Sequence, residues 1–120
     1  FDRNPRYLVN GFDNAEKNGL VFLRCENSSV SDNTISGVWK KRAALDIQGC
    51  DRFRVSNNSV LDSDGAGIRL EKVTNSSVIG NLVRDDRPAE KRSKEPSIAV
   101  IGGKANMIEL NNLQNKLVAR

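Results

Sequence analysis

The stretch Gly67-Ile68-Arg69-Leu70-Glu71-Lys72-Val73-Thr74-Asn75-Ser76-Ser77-Val78-Ile79-Gly80-Asn81-Leu82-Val83 decides the architecture. Ile68-Arg69-Leu70 alternates apolar and polar, the period-two pattern of a short strand with one buried face. Thr74-Asn75-Ser76-Ser77 is a polar turn. Val78, Asn81 and Val83 then follow as apolar-x-x-Asn-x-apolar. Both halves recur along the chain. Val30, Asn33 and Ile35 repeat the asparagine unit, as do Val55, Asn58 and Val60, then Ile108, Asn111 and Leu113; Tyr7, Asn10 and Phe12 form a weaker first copy. Val21-Phe22-Leu23, Leu45-Asp46-Ile47 and Ile98-Ala99-Val100 repeat the alternating block.

Read from the numbering, the asparagines advance by 23, 25, 23 and 30 residues. The long last step holds an insertion over residues 85–96. A unit of this size holds about three short strands and no helix. It cannot bury its apolar edge alone, but it can when stacked on copies of itself. Like strands of successive coils then pair in parallel roughly 4.8 Å apart. The sequence therefore predicts an all-β, right-handed parallel β-helix of four to five coils, a single domain over residues 1–120 and a piece of a longer solenoid. Asn33, Asn58, Asn81 and Asn111 form its ladder. Two properties suit asparagine to that position, its tolerance of left-handed backbone at a bend and an amide that bonds the next coil.

Composition agrees. Hydrophobic residues make up 38% and aromatics only 5%, which fits a narrow core of Val, Ile and Leu. The net charge of +4 is carried by scattered cations, and Lys91, Arg92 and Lys94 are interrupted by Glu90 and Glu95, so nucleic acid is not an expected partner. No apolar run reaches the roughly 18–20 residues of a membrane span. The absence of histidine removes the commonest general base and Ser-His triads. Cys25 and Cys50 occupy equivalent coil positions, with Val73 next in that column, and are read as free, buried thiols.

These repeats resemble the right-handed parallel β-helix superfamily with the pectin-lyase-like fold, over about residues 7–113. The resemblance implies a C-terminal portion of a bacterial secreted or cell-surface protein, the periplasm included. It implies a carbohydrate-active or polysaccharide-binding role, or alternatively a non-catalytic structural or adhesin-type solenoid. The enzymes of that superfamily carry motifs this chain lacks. There is no Gly-His-Gly segment and no Asp-Pro-His motif, so a polysaccharide lyase or glycoside hydrolase site is not complete here. In such solenoids the outer face of the first strand lines the substrate groove. Alternation places Phe22, Asp46, Arg69 and Ala99 there, with Trp39 on the adjoining loop as a sugar-stacking ring. The acidic loop residues Asp62, Asp64, Asp85 and Asp86 would gather on neighbouring coils, as a calcium site or a carboxylate pair. No other cofactor is implied. The open ends of a short solenoid leave end-to-end or oligomeric association available.

Overall fold

The computed structural model describes residues 19–120; the repeat at Tyr7, Asn10 and Phe12 lies outside them. Within the described residues the chain winds as a parallel β-helix. The first coil carries β1 (Leu20–Leu23), β2 (Glu26–Ser31) and β3 (Thr34–Ser36). The second carries β4 (Ala43–Gln48), β5 (Asp51–Ser56) and β6 (Ser59–Leu61). The third has β7 (Ala66–Glu71), β8 (Ser77–Ile79) and β9 (Leu82–Arg84), and the fourth β10 (Ile98–Ile101), β11 (Met107–Glu109) and β12 (Asn112–Leu113). A further coil begins with β13 (Leu117–Ala119). Every pairing is parallel, and like strands stack into three walls, β1-β4-β7-β10-β13, β2-β5-β8-β11 and β3-β6-β9-β12.

The interior is filled by columns of equivalent residues. Leu45 pairs in register with Leu20 and Ile68, Val55 with Val30 and Val78, and Val60 with Ile35 and Val83. From Val30 and Ile35 to Ile68 and Ile98, these side chains are almost wholly excluded from solvent. Each fully buried aliphatic residue stabilises the stack by about 1.5–3 kcal/mol. Phe53 closes the core against Phe22, with ring centroids 5.2 Å apart.

That contact corrects one expectation. Phe22 is not on the outer face. It pairs with Ile47 in the inner column and is 3% exposed, while Leu23 points outward at 54%. The first two coils are offset by 25 residues along the whole turn, as Leu20 with Leu45 and Val30 with Val55 both record. Aligning Phe22 with Asp46 assumes an offset of 24, and a slip of one residue inverts every side chain of a strand.

The asparagine ladder is present, and its mechanism is narrower than expected. The Asn33 N–H and Nδ2 donate to Asn58 Oδ1 at 3.0 and 3.1 Å. Asn58 makes the same pair to Asn81 Oδ1 at 2.9 and 3.0 Å, and Asn81 to Asn111 Oδ1 at 2.8 and 3.0 Å. The ladder residues do not supply the left-handed turn. The residue before each one does, at Asp32 (φ 62°), Asn57 (φ 56°), Gly80 (φ 74°) and Leu110 (φ 57°). Bend and polar satisfaction are thus divided between neighbours, and asparagine is needed for its amide.

The same device recurs at the other corners with other side chains. The Val38 N–H donates to Ser63 Oγ at 3.1 Å, Phe53 N–H to Ser76 Oγ at 2.9 Å, Ser76 N–H to Asn106 Oδ1 at 3.0 Å and Cys25 N–H to Cys50 Sγ at 3.3 Å. Ser63, Ser76 and Cys50 each donate in turn to the carbonyl two residues earlier. In the first coil the residues equivalent to the polar turn Thr74-Asn75-Ser76-Ser77 lie inside β2, and the chain bends at two left-handed residues, Arg24 (φ 53°) and Asn27 (φ 56°).

Asn81→Ala strands the Asn58 N–H and the Val55 carbonyl, so urea melts should register a loss of about 3 kcal/mol, whereas Asn112→Ala on the exposed edge should stay within about 0.5 kcal/mol. Leu110 is strained at positive φ and 83% exposed. Leu110→Gly removes a left-handed penalty of about 1 kcal/mol without losing buried surface, so the thermal midpoint should rise.

Candidate functional site

The outer face of the β1-β4-β7-β10-β13 wall carries Val21, Asp46, Arg69, Ala99 and Val118 in one register column. Alternation aims them outward because Ile47 and Leu70 point in. Asp46 and Arg69 are neighbours one coil apart, as expected, with Arg69 Nη1 3.3 Å from Asp46 Oδ1. The carboxylate is nevertheless nearly covered. Arg42, four residues upstream at the start of the same turn, donates from Nε to Asp46 Oδ2 at 2.8 Å. Arg69 continues to Glu71 Oε1 at 2.7 Å. Two guanidinium groups therefore roof Asp46, and its own column neighbours leave it 5% exposed.

Beside this network the insertion raises a wall. Glu95 and Pro96 face Arg42, Arg69, Ala99, Val118 and Arg120 across a cleft of about 230 Å³. Ala99 and Val118 are among its apolar lining residues, and three arginines stand there against one glutamate. Arg42 and Arg120 were not anticipated as site residues. The i, i+4 spacing of Arg42 and Asp46 is visible in the sequence, but the contribution of Arg120 arises only when the last coil turns back under β10, where its N–H meets the Val100 carbonyl at 2.7 Å.

Of the four loop aspartates, Asp64 and Asp85 share a cation that belongs to the chain, while Asp62 and Asp86 have other partners. Arg87 grips Asp85 through Nε at 2.8 Å and Nη2 at 2.7 Å, reaches Asp64 through Nη1 at 3.1 Å, and donates to the Ser63 carbonyl at 3.0 Å. The Ser93 N–H adds a 2.7 Å bond to Asp85, and the Ser93 hydroxyl donates to the Gly65 carbonyl at 2.7 Å. Asp64 receives the Lys40 N–H at 2.9 Å, Asp62 receives the Asp86 N–H at 2.8 Å, and Asp86 pairs with Arg84 at 2.9 Å. Trp39 is 39% exposed, and the Arg87 guanidinium lies 5.0 Å from its ring centroid. One face of the expected sugar platform is thus taken by a cation–π contact. Arg87 was the missing signal: it follows Asp85 and Asp86 directly in the sequence, and it ties the insertion to the second and third coils.

This environment sets the ionisation. The Arg87 fork, chiefly, holds the Asp85 carboxyl down at about 2, and the Ser93 and Arg87 N–H bonds add to it. Asp86 is lowered by its bond to Arg84. Among the described residues no group of three or more His, Cys, Asp and Glu side chains is placed to hold a metal ion. Cys25 and Cys50 are buried and unbonded, as read from the sequence, and burial pushes the Cys50 thiol up to about 11.

A carboxylate held below its ordinary value stabilises the fold above that value and ceases to do so as pH falls through the lowered one. The Asp85 share of the insertion's anchoring is therefore complete above the ordinary 3.8 and is lost only toward about pH 2. Trp39 fluorescence should report that release; a midpoint above 3.8 contradicts the Arg87–Asp85 clamp. Arg87→Ala should change Trp39 emission already at neutral pH.

A family model described as "Periplasmic copper-binding protein (NosD)" matches residues 3–120. No curated protein and no solved structure matches the chain.

Proposed function

The chain belongs to the NosD family, a periplasmic family, and on that premise we propose that it is a non-catalytic solenoid that binds a ligand on its arginine-rimmed wall. One observation carries this reading. Four of the candidate carboxylates are already held by guanidinium groups, Asp46 by Arg42 and Arg69, Asp64 and Asp85 by Arg87, and Asp86 by Arg84. Glycoside hydrolysis needs one carboxyl that keeps its proton near neutrality and a second poised opposite it. Asp85 at about 2 is the reverse of such an acid. The missing histidine removes the other usual proton carrier.

Copper, from the family's description, does not fit the donors of this chain. Copper sites draw on imidazole, thiolate and thioether. The sequence has no histidine, two cysteines and one methionine. Both cysteines face the interior, Cys50 retains its proton to about 11, and Met107 lies exposed on β11, away from that corner. A thiol must lose its proton to ligate a metal. We therefore route nothing through copper.

The ligand class that suits the cleft is an extended anionic chain, such as a uronic-acid oligosaccharide. Arginine forks recognise carboxylates bidentately, and Ala99 and Val118 in the lining offer apolar contact to a sugar face. Titration calorimetry with oligogalacturonate should give salt-sensitive binding without release of shorter products. Arg42→Ala or Arg120→Ala should weaken it about tenfold. Product release, or binding indifferent to both substitutions, overturns the reading.

A further inference from the structure

Cys25 and Cys50 are the only cysteines of the chain, and they stand at the same corner of consecutive coils. Each follows a left-handed residue, Arg24 (φ 53°) and Gly49 (φ 64°), and each precedes the first residue of a strand, Glu26 of β2 and Asp51 of β5. The backbone between them is paired, with the Asp51 N–H donating to the Cys25 carbonyl at 3.0 Å. The sulfur of Cys50 lies 3.3 Å from the Cys25 nitrogen. Both side chains are buried, 4% and 1% exposed. Equivalent positions on adjacent parallel strands are roughly 4.8 Å apart at Cα, within the roughly 4.4–6.8 Å that a disulfide spans. The next position of the column is Val73, so no third thiol competes.

The family is periplasmic, and in such an oxidising compartment paired thiols do not persist as they do in the cytosol. We propose that Cys25 and Cys50 are joined by a disulfide in the exported protein, which staples the first two described coils together across one full turn. The structure described above is then the dithiol form. The oxidant is a protein disulfide of the thiol–disulfide oxidoreductase class. One cysteine thiolate attacks that disulfide and forms a mixed disulfide. The second thiolate displaces the oxidant, making the Cys25–Cys50 bond. The two protons lost by the cysteine thiols are taken up by the oxidant's sulfurs, and with the two electrons they reduce it to its dithiol. The exchange belongs to the folding chain, before the corner closes. In the folded coil both sulfurs are shielded from an attacking protein, and burial keeps Cys50 protonated. The bridge closes a loop of about one coil, so it removes freedom from the unfolded chain and stabilises the stack.

The test is intact mass of the chain recovered from the bacterial periplasm, denatured and alkylated without reductant. The expected result is no label and a mass lower than the reduced chain by two hydrogens, with a peptide that links Cys25 to Cys50. Two labelled thiols, or a bridge to another molecule, overturn the proposal. Refolding the reduced chain in a glutathione redox mixture gives a second reading that does not depend on export. One internal bridge is expected there, and free thiols or glutathione adducts count against it. Reductant should then lower the thermal midpoint of the bridged protein by on the order of 10 °C, and leave that of a Cys25→Ser, Cys50→Ser variant unchanged.

Discussion

A parallel stack of coils lives or dies at its corners. Along the walls, backbone groups of one coil meet those of the next in register, and hydrogen bonding comes with the strand. At a corner the chain turns within one or two residues, and the N–H that follows the turn would face the next coil without a partner. In this protein a side-chain acceptor from the neighbouring coil meets it at several corners, Asn58 Oδ1 for Asn33, Ser63 Oγ for Val38 and Ser76 Oγ for Phe53. Leaving one such buried group unmet costs about 1–3 kcal/mol. Among the described residues no buried side-chain polar atom lacks a partner. The columns of valine and isoleucine depend on this satisfaction, because they stay in line only while successive corners superimpose.

The division of labour at the corner explains which parts of the architecture were legible. Apolar-x-x-Asn-x-apolar recurs because two needs are rigid there, a methyl-bearing residue on the inner face and a primary amide that both donates and accepts. Those needs leave a visible trace. The left-handed position before the amide tolerates Asp32, Asn57, Gly80 and even Leu110, so its column carries no pattern. The serine, cysteine and Asn106 acceptors at other corners do the work of the amide with different chemistry, and a search for one recurring residue passes over them. The error at Phe22 has a similar origin. Val21-Phe22-Leu23 is apolar throughout, so alternation cannot say which residues face in. The 25-residue offset shared by Cys25 with Cys50 and Val30 with Val55 settles the face.

The candidate site was half legible for an electrostatic reason. Asp46 and Arg69 follow from strand alternation plus the coil offset, both local rules. That the two acidic loops meet follows too, since they occupy corresponding positions on neighbouring coils. What they do depends on Arg87 and Ser93, which reach back from the insertion, and no periodicity governs an insertion. The same segment supplies Glu95 and Pro96 to the cleft. One irregular stretch thus decides both how the aspartates are neutralised and where the groove has a wall.

That neutralisation is what separates scaffold from catalyst on this fold. A solenoid offers rows of outward side chains at fixed spacing, and whether a row performs chemistry depends on the protonation its surroundings allow. A carboxyl becomes a general acid when burial or a like charge raises its affinity for a proton. Here Asp46, Asp64, Asp85 and Asp86 each have an arginine instead, and Asp85 and Asp86 are held below the ordinary carboxylate range. Arg42 has ligand-facing capacity left, because it engages Asp46 through Nε and its side chain remains 56% exposed. The Asp46 carboxylate thereby acts as a strut between Arg42 and Arg69, two of the guanidinium groups that line the cleft, and this geometry is what the proposed binding of an anionic chain rests on.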